Sequence, residues 1–409
     1  MRNFFFILFF ASQFISAQDI VIKSLQTYLD DKEVLVPIID YNQEYEQTFT
    51  INFDVATQNS PNLIIVFKFC NQNWEPYNSI FLTDPTYNTE YNLWLYELPS
   101  NVKEAQYHYS GQFPNNNIRF PFSGKWKFFI MESYNRDNVI AEGKFVVVHK
   151  SKIRLRPSIT RSRAENEIPG NSELGRTFIL KTDFVLPDSL YPNLVKGMEI
   201  IENGKIEYPY FINRDFNTEN KFVDWNGSNR FSFLIRDLKP GNNYRTLNLR
   251  NKSKYQYPSG DAQFGGIETS NFYKFNRDDN QGASLINDYN SDDAQYLNIR
   301  FRIRPPEEVM APVFLVGSFN NWIVSPEYEM YDKDGLLSLI VQLKRGIYDY
   351  QYVTAEYKND KISNIDWNIL EGNFWETDNI YHIFLYYSNP DKGGFEEIIA
   401  YKKISSRGT

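Results

Sequence analysis

Cysteine is all but missing. The 409-residue chain has one, Cys70, so no intrachain disulfide can form. The fold must rest on its cores, which a chain of this length can build. Cys70 stands inside the apolar alternation VFKFCNQNW and reads as a buried small hydrophobe rather than a reactive thiol. Histidine is nearly as scarce. His108, His149 and His382 fall in separate blocks, each beside strand-like sequence, so a histidine metal cluster or a Ser/His/Asp triad would have to be assembled across domains. G-x-S-x-G, G-x-G-x-x-G after a strand, the P-loop, H-E-x-x-H and C-x-x-C are all absent, which removes the usual anchors of nucleophilic, nucleotide and zinc chemistry. Positive charge is in deficit as well. With 43 Lys and Arg against 51 Asp and Glu, the net charge of −8 excludes a nucleic-acid binder that must displace counterions from phosphate.

Long apolar runs are confined to the first residues, MRNFFFILFFASQFISAQD. One positive charge at Arg2, an apolar stretch from Phe4 to Phe10 and small residues at Ser16 and Ala17 form the layout of a secretory signal peptide. Cleavage is expected between Ala17 and Gln18, and no cysteine at the junction suggests a lipid anchor. The segment is too short for a bilayer span, which takes about 20 apolar residues, and no second run of that length follows. The expected mature chain is therefore exported and soluble, and the lack of disulfides fits a Gram-negative envelope at least as well as a eukaryotic exterior.

Aromatic residues are abundant, with 29 Tyr and 33 Phe. Such side chains suit a pleated, half-buried surface. Helical periodicity is scarce and alternation dominates. TFTINFDV, NLIIVFKFC, WKFFIME and GKFVVVHK read as strands of an N-terminal β-sandwich over residues 18–150. The basic, proline-broken passage SKIRLRPSITRSRA reads as a linker. A middle β-rich domain over 151–290 contains RTFILKTDFVL, VKGMEIIENG and NRFSFLIRDL, and then a polar stretch of loops and edge strands. The third block, 291–409, runs from AQYLNIRFRIR through LLSLIVQL and GIYDYQYV to IYHIFLYY and FEEIIAYKKI. The fold class expected is all-β, with tandem antiparallel Ig-like sandwiches.

Acidic residues nominate no site. Asp278-Asp279-Asn280-Gln281-Gly282 and Tyr331-Asp332-Lys333-Asp334-Gly335 lack the full oxygen frame and distal Glu of a calcium loop, and Asp-x-Asp-Gly is ordinary hairpin chemistry. No metal and no cofactor is expected, and no carboxylate pair stands out for glycoside hydrolysis. One motif remains. Gly317-Ser318-Phe319-Asn320-Asn321-Trp322, followed by GIYDYQYV, resembles the glycogen- and starch-binding module of the early-set Ig-like class. In that module the turn's tryptophan stacks on a glucose ring, which would make Asn321, Trp322 and, further on, Trp367 a carbohydrate platform. The same turn also suits a plain sandwich corner, with Phe319 in the core and Asn320 closing the bend. That second role is the expectation carried forward.

A longer series of motifs points elsewhere. FKFCNQNWEP, QYHYSGQFPN, SGKWKFFIME, WNGSNRFSFLIRDL, FNRDDNQGASLI and the order GSFNNW, LKRGIYDYQYV, LEGNFWETDNIYHIFLYY resemble, in sequence order, the type IX secretion system plug protein family of Bacteroidetes. The family's Gln-Asn-x-Arg-Trp-Asp passage is replaced by GMEIIENGKIEY. The resemblance implies a non-catalytic periplasmic protein at the inner face of the outer membrane. Its partner would be the giant SprA-like β-barrel translocon, whose periplasmic mouth it closes. A glycan is the alternative partner, in an envelope glycan-binding protein that uses Trp322.

Overall fold

Alternation sets the architecture. In FTINFDVA, Phe49, Ile51, Phe53 and Val55 are fully or almost fully buried, while Thr50 and Asn52 are only half-buried, as a period of two on a one-sided sheet requires. The computed structural model describes residues 20–29, 32–33, 37–41, 47–79, 82, 88–164, 173–263, 265–276, 279–286, 289, 294–390 and 393–407. The expected signal peptide and its cleavage point at Ala17 and Gln18 lie outside them. The protein is nearly all β, and the described residues hold no helix of seven or more residues.

The first sandwich uses β1 (Val21–Leu29), β2 (Lys32–Glu33), β3 (Ile38–Asp40), β4 (Phe49–Ala56), β5 (Leu63–Cys70), β6 (Glu90–Asn92), β7 (Tyr96–Glu97), β8 (Tyr107–Phe113), β9 (Gly124–Glu132) and β10 (Asn135–Val148). Its sheets run β2-β1-β4-β8-β7 and β3-β10-β9-β5-β6. Between them lies an aromatic core. Phe67 meets Phe113, Phe120, Phe128 and Phe145 with ring centroids 4.8–6.4 Å apart, mostly edge to face. Each such ring buries roughly 150–250 Å² and gains about 0.5–1.5 kcal/mol per aromatic contact beyond area burial. Cys70 is buried here, and burial pushes its thiol up to about 11, so it is an inert packing residue.

The second sandwich begins with β11 (Arg156–Arg163), β12 (Arg176–Val185), β13 (Val195–Glu202), β14 (Tyr210–Asn213), β15 (Lys221–Asp224) and β16 (Arg230–Leu238). The third then intervenes: β17 (Arg245–Asn248), β18 (Ser259–Asp261), β19 (Glu268–Thr269), β20 (Ser284–Ile286), β21 (Tyr296–Arg304), β22 (Val313–Gly317), β23 (Tyr331–Lys333), β24 (Leu336–Lys344), β25 (Gly346–Lys358) and β26 (Lys361–Asp366). The chain finally returns to the second sandwich with β27 (Ile380–Asn389) and β28 (Phe395–Ser405). Sheets β11-β12-β16-β15 and β14-β13-β27-β28 enclose the second core, and two sheets built around β25 and β21 enclose the third.

Two expectations are corrected here. The third block does not keep its last two strands, because β27 pairs with β13 from Glu202↔Tyr381 to Val195↔Tyr387. The third sandwich is thus an insertion into the second, and the division at 290/291 does not describe the sheets. Most of the passage read as a linker, Arg156–Arg163, is strand β11, paired with β12 along its whole length. Its arginines hid the alternation, because it is an edge strand with only one neighbour among the described residues.

Candidate functional site

The three sandwiches meet on buried polar junctions, and these are the most demanding chemistry in the molecule. Sheet β3-β10-β9-β5-β6 lays its outer face on sheet β14-β13-β27-β28, so that Ile38, Val146 and Val148 cluster with Ile201, Phe384, Tyr386 and Ile398. Inside that apolar contact Lys125 on β9 donates to Glu199 on β13 at 2.7 Å and to the Gln72 carbonyl at 2.7 Å. Tyr386 donates to the other Glu199 oxygen at 2.6 Å, and the Lys125 ammonium lies 4.5 Å from the Trp74 ring centroid. Both charged side chains are almost fully buried. Burial lowers the Lys125 pKa, while Glu199 beside it works in the opposite sense.

A second junction joins the first sandwich to the third. Asp54 on β4 accepts Lys344 at 2.7 Å and Tyr296 at 2.8 Å on one oxygen, and contacts His108 Nδ1 at 2.7 Å with the other. Burial alone would raise the Asp54 pKa, but the His108 contact and the Lys344 charge hold it below the usual carboxylate value. Tyr289 stacks on His108 with ring centroids 4.0 Å apart. His108 is a buried residue of strand β8 at this seam. His382 is also a buried strand residue, pushed down to about 3 by burial and then by Lys403, so it stays neutral.

The Trp322 turn stands at the third junction. Asn320 closes it, accepting from the Gly317 amide at 2.9 Å and donating to the carbonyls of Leu315 and Ile323. Asn321 (φ 53°) and Trp322 (φ 61°) take left-handed backbone. The indole of Trp322 is 0% exposed, donates to the Gly282 carbonyl at 2.9 Å and lies 4.2 Å from the Tyr244 ring. Gly282 has φ +87°, and a Cβ there would press on Trp322 and Tyr244 at 3.3 Å, so glycine is required. Trp367 joins the same cluster, half-buried, with its edge toward Tyr208 and the Lys205 ammonium 4.6 Å from its centroid. The structure therefore brings Trp322 and Trp367 together, but as core. Only Asn321 is exposed, and a buried ring has no face to offer a hexose. Titration with maltooligosaccharide at millimolar concentration is accordingly expected to leave tryptophan fluorescence flat; a saturable shift lost in Trp322→Phe would restore the platform reading.

The loop beneath Trp322 is held by acids that sequence reasoning left unplaced. Asp349 on β25, fully buried, accepts the Asn280 amide at 2.6 Å, the Gly282 amide at 2.9 Å and the Thr246 hydroxyl at 3.0 Å. Asp279 accepts the Tyr244 amide at 2.8 Å. Asp278, the first residue of that loop motif, lies outside the described residues. Among the described residues no group of three or more His, Cys, Asp and Glu could hold a metal ion. In the hairpin at Asp332 the carboxylate accepts the Gly335 amide, which is turn chemistry. Burial, and then the charge of Asp279, raises Asp349 to about 7. A pKa raised above its unfolded value of 3.8 means the folded state holds the proton more tightly. The contribution of Asp349 to stability is then greatest at low pH and falls between about pH 4 and pH 7, by up to about 1.4 kcal/mol per pH unit. Urea midpoints of wild type and Asp349→Asn across this range should diverge in slope, with the wild type losing more; parallel curves would contradict the assignment.

Comparison with known proteins bears on the first sandwich directly. Residues 22–149 match the family model described as type 9 secretion system plug protein 1st domain. The first sandwich is the part of the chain that is similar to that domain. The whole chain is similar in fold to a hypothetical protein from Parabacteroides merdae ATCC 43184 whose crystal structure is known. The TM-score is 0.73 at 18% identity, covering 95% of this chain and 98% of that one. At that identity the likeness speaks for the fold. No curated protein matches. No helix among the described residues is long and apolar enough to cross a membrane.

Sequence reasoning missed the junction residues Asp54, Lys125 and Glu199. A signal was present. Lys125 lies just ahead of the apolar run of β9, and Glu199 stands between Met198 and Ile200 of β13, each a charge set directly against apolar strand residues.

Proposed function

We propose that this chain is a non-catalytic periplasmic accessory protein that binds and seals the periplasmic opening of the giant, SprA-like outer-membrane barrel of the type IX secretion system. The plug-domain match over residues 22–149 carries the reading. The architecture supports it. Three sandwiches joined by buried ion pairs and apolar contacts form a stiff body, and the reactive groups are used for packing: Cys70 is inert, His382 is neutral and the clustered acids hold loops. Such a body acts by occupying space and adhering.

Adhesion needs exposed anchors, and interface hot spots favour Trp, Tyr and Arg. The plug domain presents Trp94 at 73% exposure and Tyr134 at 77%. They lie at the same end of one sheet, since the Leu93 amide bonds the Leu63 carbonyl and the Ser133 amide bonds the neighbouring Asn62 carbonyl. Affinity capture of the tagged protein from solubilised envelopes should recover a translocon-sized barrel protein. Trp94→Ala with Tyr134→Ala should reduce that recovery at least about tenfold, the effect of removing one ordinary hot spot. Recovery of the protein alone would refute the partner; undiminished recovery in the double variant would move the contact to another face.

A further inference from the structure

The molecule carries a net charge of −8, yet Lys150 to Arg163 holds six cations and no acid. The structure turns Arg156–Arg163 of this passage into β11, a sheet edge, and sets Arg161 on an open groove on the flank of the second sandwich, with Arg163 beside it over the Trp375 ring. The groove, about 590 Å³ in volume, runs between β11 and the end of β28 and is floored by Trp375 and Phe178, with Arg161, Ser406 and Arg407 along its rim. The guanidinium carbons of Arg161, Arg163 and Arg176 lie 5.8, 5.2 and 5.6 Å from the Trp375 ring centroid. Trp375 is itself fixed, its indole donating to the Thr177 carbonyl at 3.1 Å. Among the described residues the carboxylate lining the groove is Glu376; it stands 3.9 Å from Arg161, with both side chains more than half exposed. Arg407 donates to the Glu376 backbone carbonyl. Arg176 donates to the Asn373 carbonyl and serves the floor rather than the rim.

We propose that this flank docks an acidic, extended polypeptide segment, which adds to β11 as a strand and lays alternate carboxylates on Arg161, Arg163 and Arg407. Four observations converge on that occupant. Among the described residues β11 pairs only with β12, so its other side can template a strand. Arg161 and Arg163 are two residues apart on one face, and i, i+2 spacing of about 6.6–6.8 Å is also the spacing of alternate side chains on an added strand. Guanidinium forks match carboxylates in a way that point charges do not. The aromatic floor leaves room for an apolar side chain between the acids. Arginines that merely guard an edge against aggregation need no ring beneath them; Arg161 and Arg163, though exposed, lie 5.8 and 5.2 Å from the Trp375 ring centroid. The partner class stands apart from the translocon reading, and its test does not depend on that reading.

The probe is a short fluorescein-labelled peptide alternating Asp with Val and Tyr, titrated with the full chain and followed by anisotropy. Saturable binding is expected, weakening as NaCl rises from about 50 to about 300 mM because the rim charges are exposed. Arg161→Glu with Arg163→Glu should weaken it at least tenfold with an unchanged melting curve. N-methylation of alternate peptide amides should weaken it comparably, because a strand cannot then pair. If the double variant fails to fold, Arg161→Gln and Arg407→Gln, both at exposed positions, serve in its place and should each weaken binding several-fold. Absence of saturation, indifference to these substitutions, or equal binding of the N-methylated peptide would overturn the proposal. So would equal competition by free acetate, which would mark a simple anion site, or capture of anionic phosphatidylglycerol vesicles through the same arginines without any peptide binding.

Discussion

Replacing Arg245 by methionine is expected to unfold the third sandwich. The guanidinium holds Glu371 through Nε at 2.9 and 3.0 Å, Glu268 through one terminal nitrogen at 2.8 Å and the Thr269 carbonyl through the other at 2.9 Å. All three side chains are nearly buried. Around them Tyr350 and Tyr352 donate to Glu268, and the Tyr352 amide donates to Glu371. Burial works against the Arg245 charge, but the two carboxylates outweigh it and raise its pKa, so the group is permanently cationic. Burial likewise raises Glu268 above the ordinary glutamate value despite its partners. Removing the cation leaves two carboxylates that must protonate or draw in water. Breaking a buried pair at one partner costs about 3–5 kcal/mol. With two partners stranded the loss should reach at least about 5 kcal/mol, the scale of a domain's whole stability. A urea titration followed by tyrosine and tryptophan emission should show an early transition or none. A midpoint within error of the wild type would mean that water already reaches this site.

The second large effect belongs to the seam between the first and second sandwiches. Lys125→Met strands Glu199 between two sheets and is expected to cost about 3–5 kcal/mol. Changing both partners, Lys125→Met with Glu199→Met, should recover most of that loss, because an apolar pair of similar volume avoids the desolvation of two ions. The Tyr386 hydroxyl then loses its acceptor, so recovery should stop short of complete by about 1–3 kcal/mol. Comparing the two variants separates the worth of the pair from the cost of breaking it. If the double variant is no more stable than the single one, Lys125 serves through its contacts with Gln72 and Trp74 instead.

These seams also show what a sequence yields and what it withholds. Strands such as β4, β12 and β24 were legible because each obeys a local period of two, with one face apolar. The turn at Asn320 was legible as a corner, since Asn and Gly there answer a local backbone need. The return of β27 to β13 was not legible. It depends on a pairing between residues nearly two hundred positions apart, and strand sequence carries no record of its neighbour. β11 was misread for the opposite reason: its composition looked like a linker because an edge strand with a polar, cationic face shows little alternation. Trp322 carries a similar lesson. Its motif suits a sugar platform and a buried corner equally, and only the packing of Tyr244 and Gly282 against the indole decides between them.

The central claim is that the molecule works by filling an opening, with no chemistry of its own. Its most direct measurement is the entry of a large hydrophilic solute, one too big for ordinary outer-membrane pores, into cells lacking this chain. Entry should rise on deletion. Resupply of the wild-type chain should reverse it, and resupply of Trp94→Ala with Tyr134→Ala should reverse it poorly. Unchanged entry on deletion, in cells whose translocon is present at its normal level, would contradict the claim.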